Sequence, residues 1–155
     1  MATHQQNSTQ LELSHVPSAK GLRFALVVSE WNAQITENLF SGANDLLLSK
    51  GASSVDRIDV PGSYELVYGC RSQFDKGYDA IVAIGSVIRG ETQHFDYVCQ
   101  AVSHGIKDLN LLGQIPVIFC VLTDDTLQQA IDRSGGSLGN KGAEAAVAAI
   151  RMAQL

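Results

Sequence analysis

The sequence lacks any apolar run approaching the roughly 18 residues that a membrane-spanning helix needs. Its first residues also lack the succession of charged, apolar and small residues that marks a secretory signal peptide. Only three of the 155 residues are cysteine, none in CxxC spacing, and all three lie in apolar stretches. We therefore expect no membrane contact and predict Cys70, Cys99 and Cys120 to be buried free thiols in a reducing cytoplasm.

Positive charge is also scarce, with 11 Lys and Arg against 16 Asp and Glu, a net charge of -5 at pH 7. An acidic chain is a poor nonspecific ligand for nucleic acid or anionic membranes, although a local basic pocket can still hold an anion. Apolar residues make up 45% of the chain, which is enough for one hydrophobic core. We predict a flexible polar tail over residues 1–20 and a single domain over residues 21–155.

Four short apolar runs alternate with segments of helical spacing. The predicted strands cover residues 22–28, 58–60, 80–88 and 117–122. The predicted helices cover residues 32–50, a segment capped by Ser63, residues 92–111, a segment ending near Arg133, and the alanine-rich residues 143–152. Asp125 and Gln128 have capping-box spacing, and residues 135–142 are predicted as a glycine-rich loop. The alternation predicts an α/β three-layer sandwich, with a four-stranded, mainly parallel sheet between helices on both faces.

Ligands of such sheets bind beyond the carboxyl ends of the strands, which directs attention to residues 86–94. Here a buried strand enters a polar turn in which Gly90 permits a tight backbone. Thr92 lies where the next helix starts, a position that holds anions well, and His94 could exchange protons near neutral pH. The alternative is an ordinary capped helix with a surface ion pair.

Three further features each have a plain alternative. Residues 61–65 could approach a ligand through Gly62 and accept hydroxyl groups at Glu65, or simply form a turn and a capped helix. Trp31, the only tryptophan, could stack on a flat ring or belong to the core or an interface. Arg133 and Lys141 flank a glycine-rich loop and could grip a phosphate, although Arg133 could equally cap a helix C-terminus.

Taken together, these segments resemble the lumazine synthase family over residues 22–155. The resemblance is carried, in the family's order and spacing, by Trp31-Asn32, PGSYEL, IGSVIRGETQHFDYV, PVIFCVLTDDTLQQAIDRSG and GNKGAEAA. It implies a flavodoxin-like fold and an enzyme of riboflavin biosynthesis without metal or organic cofactor. The implied reaction condenses 5-amino-6-(D-ribitylamino)uracil with 3,4-dihydroxy-2-butanone 4-phosphate to give 6,7-dimethyl-8-ribityllumazine.

The resemblance also implies three sets of site residues. The set for the pyrimidine and its ribityl chain comprises Trp31, Asn32, Ser63, Tyr64, Glu65, Ser86, Val87, Ile88, Phe119 and Lys141. Glu91, Thr92 and Arg133 are implied for the butanone phosphate, and His94 for proton transfer. In the family pattern Phe119 and Arg133 come from a neighbouring subunit, which favours the phosphate-binding interpretation of Arg133 over the helix cap.

The family's assembly and this chain's departures from its pattern add further expectations. Family members form homopentamers, some of which close into sixty-subunit shells, and riboflavin synthase could be a partner. The short connection over residues 135–142 favours a shell, whereas Pro17 argues against a tail strand that joins a neighbour's sheet. Val67, Cys120 and Trp31 stand where many members have Pro, Gly and Phe, and Cys120 puts the packing near Phe119 in doubt. Two alternatives stay open: a flavin- or lumazine-binding module, and another kind of nucleotide-binding α/β domain.

Overall fold

The computed structural model describes residues 15–155, and its central feature is a four-stranded parallel sheet. The strands are β1 (Arg23–Ser29), β2 (Ser54–Val60), β3 (Ala80–Ile88) and β4 (Val117–Asp124), in the order β2-β1-β3-β4. Every pairing within this sheet is parallel, with Val28 beside Ile84 and Ile84 beside Cys120. The central strands β1 and β3 are buried almost throughout, as continuous apolar runs covered on both faces should be.

Helices cover both faces of the sheet, and alternate residues of each strand point to opposite sides. One face packs against α1 (Ala33–Ser49), α4 (Leu127–Arg133) and α5 (Lys141–Met152), and holds Leu26 and Ile84. The other face packs against α2 (Leu66–Arg71) and α3 (His94–Leu111), and holds Val27 and Ala83. A short 3-10 turn, Phe74–Lys76, follows α2. The predicted three-layer, flavodoxin-like sandwich is therefore confirmed.

Helices α1 and α5 pack at unusually short range. A methyl group at Gly142 would overlap the backbone oxygen of Leu39, so only glycine fits at this contact. Ala145, Ala146 and Ala149 on α5 are buried in the same core. The alanine-rich last helix is thus closely packed, as its composition predicts.

Several predicted boundaries and caps are wrong. Strand β2 starts at Ser54 rather than residue 58, because it is an edge strand whose exposed charged residues hide its pattern. Ser63 does not cap α2: that helix starts at Leu66 without a side-chain cap, and the Ser63 hydroxyl has no partner among the described residues. Helix α3 likewise begins at His94 rather than Thr92.

The capping box of α4 lies one residue beyond its predicted position. The Thr126 hydroxyl accepts from the Gln129 N–H at 3.3 Å, and the Gln129 side chain accepts from the Thr126 N–H at 3.3 Å. Asp125 is instead engaged by Arg89. The pattern was ambiguous because Asp and Thr are both good capping residues.

The predicted glycine-rich loop contains regular structure. Residues Ser134–Gly136 (β5) and Gly139–Asn140 (β6) form a small antiparallel hairpin. Asn140 then caps α5, since its side-chain oxygen accepts from the Gly142 N–H at 2.8 Å and the Ala143 N–H at 3.3 Å. Helix α5 therefore starts at Lys141, two residues before its predicted start.

The predicted flexible tail falls mostly on residues 1–14, which lie outside the described residues. Of its remaining residues, Val16 and Ala19 are buried against the core, and the Ala19 N–H donates to the Lys50 carbonyl at 2.8 Å. Among residues 15–155, none of the helices combines the length and apolarity needed to cross a membrane.

Candidate active site

The carboxyl ends of the four parallel strands form one edge of the sheet, and the polar segments singled out in the sequence follow them. Ser29 pairs with Val60 at the ends of β1 and β2, and Ile88 pairs with Asp124 at the ends of β3 and β4. Residues 31–32, 61–65, 89–94 and 125 onward come directly after these ends. The fold thus brings the three segments before α3 to one edge of one chain.

Trp31 and Asn32 occupy the turn after β1. The Trp31 side chain is 72% exposed, which excludes a place in the core of its own chain. Asn32 has a left-handed backbone (φ 56°, ψ 47°), and its side-chain amide donates to the Ser86 carbonyl at 2.9 Å. A methyl group at Gly62 would lie 3.5 Å from the Trp31 ring and 3.0 Å from the Glu65 carboxylate. Trp31 and Glu65 therefore flank the same glycine.

Four buried oxygen atoms near this edge have no hydrogen-bond partner among the described residues. They belong to the side chains of Ser29, Ser63, Ser86 and Asp124. A methyl group at Gly85 would lie 2.7 Å from the Ser63 hydroxyl, so glycine makes room for that side chain. Because buried polar groups in folded proteins are nearly always satisfied, these atoms are natural partners for a polar ligand or ordered water.

The backbone of β3 offers further polar groups. Its last register pair with β1 is Val28 with Ile84, yet β3 continues to Ile88. Beyond that pair, the flank of β3 that faced β1 has no neighbouring strand, and the Asn32 amide binds the Ser86 carbonyl there. Ser86 is buried and Val87 and Ile88 are partly exposed, so the end of β3 has backbone groups at this flank that no strand of the sheet pairs with.

Arg89 organises the turn between β3 and α3. Its Nε donates to Asp125 at 2.7 Å, and its two terminal nitrogens lie 3.3 Å from the Asp96 carboxylate. The guanidinium also stacks on Phe95, 4.1 Å from the ring centre. These hydrogen bonds to Asp125 and Asp96 raise the pKa of Arg89. The alternative interpretation of residues 86–94 expected a surface ion pair, and one is present. Arg89 forms it with Asp96 and Asp125.

The other polar residues of this turn remain available to a ligand. Glu91, Thr92 and His94 are exposed, and the Thr92 hydroxyl accepts from the His94 N–H at 3.4 Å. They lie at the N-terminus of α3, an 18-residue helix whose unpaired backbone N–H groups favour an anion.

Within residues 15–155, no hydrogen bond or ion pair joins Phe119, Arg133 or Lys141 to residues 31–32, 61–65 or 89–94. Phe119 is 43% exposed and pairs with Ala83, five residues before the end of β3, so it lies away from the carboxyl edge of its own chain. Arg133 donates to the Gln129 carbonyl at 3.0 Å, which is the helix-cap contact considered above. Lys141 pairs with Glu144 at 2.8 Å.

The departures from the family pattern have clear places in the fold. Cys120 is buried against the α1 and α5 side of the sheet, opposite to Phe119, and its thiol lies 3.6 Å from the Lys141 carbonyl. Val67 packs against α3, where a methyl group at Gly105 would lie 2.5 Å from it. Cys99 is half-buried rather than buried, because it lies beside the apolar stripe of α3.

Comparison with known proteins supplies the identification. The family model for 6,7-dimethyl-8-ribityllumazine synthase matches residues 21–155. The chain belongs to this family. A 6,7-dimethyl-8-ribityllumazine synthase of Christiangramia forsetii is 55% identical, covering 100% of this chain and 95% of that protein. The enzymes of Flavobacterium johnsoniae and Phocaeicola vulgatus are 52% and 48% identical, covering 100% and 98% of this chain and 83% and 92% of those proteins.

In this member of the lumazine synthase family, two side-chain contacts of the site were not predicted from the sequence. Arg89 was visible only as part of a motif, and its partner Asp125 is 36 residues away. Cys120, Thr123 and Asp124 lack the spacing of a metal site, and the sequence did not predict that the Asp124 side chain lies 3.7 Å from Arg133. A charged residue at the last position of an apolar strand was the available signal.

Proposed function

We propose that this protein condenses 5-amino-6-(D-ribitylamino)uracil with 3,4-dihydroxy-2-butanone 4-phosphate to form 6,7-dimethyl-8-ribityllumazine, phosphate and water. The observation that carries the proposal is the meeting of residues 31–32, 61–65 and 86–94 at the carboxyl edge of the sheet, in a chain of this family. Their exposed aromatic, carboxylate and imidazole groups suit two polar substrates, one of which is an anion.

The pyrimidine and its ribityl chain are assigned to the first part of this edge. Trp31 stacks on the ring, because its face is exposed and fixed beside Gly62. The backbone of Ser86, Val87 and Ile88 meets the polar rim of the ring along the free flank of β3, and Asn32 fixes that flank. Ser63, Tyr64 and Glu65 line the ribityl chain, and Lys141 lies near the chain and the ring.

The butanone phosphate is assigned to the turn before α3. Glu91 and Thr92 offer their backbone N–H groups there, with the Thr92 hydroxyl beside them. A neighbouring subunit supplies Arg133 to pair with the phosphate and Phe119 to cover the ring.

The proposed reaction begins when the pyrimidine amine attacks the ketone carbonyl and water leaves, which forms a Schiff base. Loss of the phosphate group follows, and the ribityl-bearing nitrogen then closes the second ring with loss of a second water. His94 passes protons between these intermediates at the start of α3. Most of the acceleration comes from holding the two substrates together.

The proposal includes a homopentamer with active sites between subunits. Phe119 lies away from the carboxyl edge of its own chain, and Arg133, beside Asp124 at the end of β4, makes no hydrogen bond or ion pair with residues 31–32, 61–65 or 89–94 among the described residues. A neighbouring chain that supplies these two side chains would complete the pocket. The short β5–β6 hairpin favours closure of pentamers into a shell, and riboflavin synthase is the proposed partner. We assign catalysis to the domain over residues 21–155. The three free cysteines support a cytoplasmic location.

The direct test mixes purified protein with both substrates and follows lumazine absorbance and inorganic phosphate. Product formation no faster than the spontaneous reaction would refute the proposed function. Replacing Arg133 with Ala separates an enzyme from a flavin-binding module, because it should weaken binding of the phosphate substrate far more than binding of riboflavin. Native mass then tests the assembly, with five chains of 16.6 kDa in a pentamer and many more in a shell.

A further inference from the structure

Asp124 is a carboxylate buried at the carboxyl end of β4. It is 6% exposed, and its Oδ2 atom has no hydrogen-bond partner among the described residues. Its Oδ1 atom lies 3.7 Å from Nη1 of Arg133. A buried carboxylate is costly unless a cation or hydrogen-bond donors compensate it. Arg133 supplies part of that compensation, although burial still raises the pKa of the Asp124 carboxyl above its ordinary value.

Arg133 uses one corner of its guanidinium for both of its contacts within the described residues. Nη1 donates to the Gln129 carbonyl at 3.0 Å and faces Asp124. The Nε and Nη2 atoms, which form the opposite edge of the planar group, make no hydrogen bond or ion pair in residues 15–155. Two parallel N–H groups on one such edge are the geometry with which arginine binds phosphate.

The backbone of Asp124 is fixed at the same time. Its carbonyl accepts from the Arg89 N–H at 3.0 Å, and Asp124 pairs in register with Ile88. Asp124 thus joins the turn that carries Glu91 and Thr92 to the helix that carries Arg133.

We propose that Asp124 is a positioning residue that, together with the Gln129 carbonyl, fixes Arg133 through Nη1 and turns its Nε–Nη2 edge toward the substrate phosphate in the neighbouring subunit's site. This inference rests on the proposed function. Each Asp124 then serves two sites, because its backbone steadies the phosphate turn of its own chain and its side chain aims the arginine used by the neighbour.

The test compares steady-state kinetics of Asp124→Ala, Asp124→Asn and the wild type. Asp124→Ala should raise KM for the butanone phosphate about tenfold, the scale of a lost charge-assisted contact, while KM for the pyrimidine and kcat change less than about twofold. Asp124→Asn keeps a hydrogen-bond acceptor and the volume of the side chain, so it should raise KM for the butanone phosphate by less than Asp124→Ala does. Asp132→Asn is the matched control on the same helix, because the Asp132 side chain accepts from Gln128 and forms no ion pair with Arg133 among the described residues; it should leave both KM values unchanged.

A double-mutant comparison identifies the route of the effect. In an Arg133→Ala background, Asp124→Ala should add less than about twofold to KM, because the group it positions is gone. Unchanged KM for the phosphate substrate, equal increases in both KM values, or full additivity with Arg133→Ala would each overturn the proposal. If Asp124→Ala does not fold, Asp124→Asn alone decides by the same criteria. A wild type without activity would refute the proposed function and this inference together, whereas an active wild type with an unaffected Asp124 variant refutes only the inference.

Discussion

Asn32 binds the Ser86 carbonyl through its side-chain amide at 2.9 Å, and so ties the turn after β1 to the free flank of β3. Among residues 15–155 it is also the one non-glycine residue with a positive φ, 56°. Asparagine tolerates this left-handed conformation better than most residues and supplies the donor as well. One residue therefore meets a backbone demand and a hydrogen-bonding demand beside Trp31.

We predict that Asn32→Ala destabilises the protein by about 1–3 kcal/mol, because it loses the bond to Ser86 and forces a side chain with Cβ into a left-handed backbone. Asn32→Gly loses the same bond without the strain, so it should fall between alanine and the wild type. Urea unfolding at one protein concentration measures both. Equal stability of the two variants would show that the backbone conformation carries no cost.

The ion pair between Glu37 and Arg57 joins α1 to the edge strand β2. Arg57 donates to both Glu37 oxygens, and its hydrogen bond lowers the pKa of the Glu37 carboxyl. A lowered pKa stabilises the fold above the unfolded value near 4.5 and loses that contribution as the pH falls toward the lower folded value. Since both side chains are partly exposed, the contribution should stay below about 1 kcal/mol.

Glu37→Gln should accordingly be slightly less stable than the wild type at pH 7, and the difference should disappear at pH values below the folded pKa of Glu37. Urea midpoints across this range provide the measurement. Glu30→Gln is the control, because Glu30 forms no ion pair within residues 15–155 and its replacement should not produce this pH-dependent difference. A difference that grows on acidification would contradict the assignment.

The contact between Gly142 and Leu39 predicts an intolerant position. Gly142→Ala should destabilise the protein by about 1–3 kcal/mol, since the added methyl group meets a backbone oxygen that cannot rotate away. Gly90→Ala is a matched change in open space, with nothing within 4 Å of the added carbon, and should alter stability by less than about 0.5 kcal/mol. Thermal denaturation of the two variants distinguishes close packing from a general need for glycine.

The three thiols should differ in reactivity. Burial raises the pKa of Cys70 and Cys120 to about 12, whereas Cys99 is half-buried and its pKa is raised less far. At pH 8 in the folded protein, an alkylating reagent should therefore modify Cys99 before the other two. Peptide mass spectrometry identifies the labelled positions, and unfolding in urea should make all three react. Rapid labelling of Cys120 in the folded state would contradict its placement between the sheet and α5.

Hydrophobic patterning predicted the parts of the fold that are buried on both faces. Strands β1 and β3 have continuous apolar runs, and Ile35, Leu39 and Leu47 mark the inward face of α1. Strand β2 was predicted at less than half its length because Asp56 and Arg57 interrupt its apolar pattern, as an edge strand allows. A hydrophobic pattern reflects burial, so it does not predict the bounds of a strand or helix whose side chains are exposed.

The candidate site could likewise be predicted only in part. Its approximate place could be predicted, because the polar segments follow strands whose carboxyl ends must share an edge. The contacts of Arg89 with Asp125, and of Arg133 with Asp124, could not be predicted, since they depend on side-chain directions across separate strands and helices. Sequence spacing determines neighbours only within one helix or strand.

His94 and His104 allow a comparison within one helix. Both are exposed on α3, but only His94 lies in its first turn beside Thr92. If His94 transfers protons during condensation and phosphate loss, His94→Ala should lower kcat by about 10²-fold after subtraction of the spontaneous rate, with modest changes in KM. His104→Ala removes the same side chain ten residues further along α3 and should retain full activity. Comparable kcat values for the two variants would assign proton transfer to solvent or to another group.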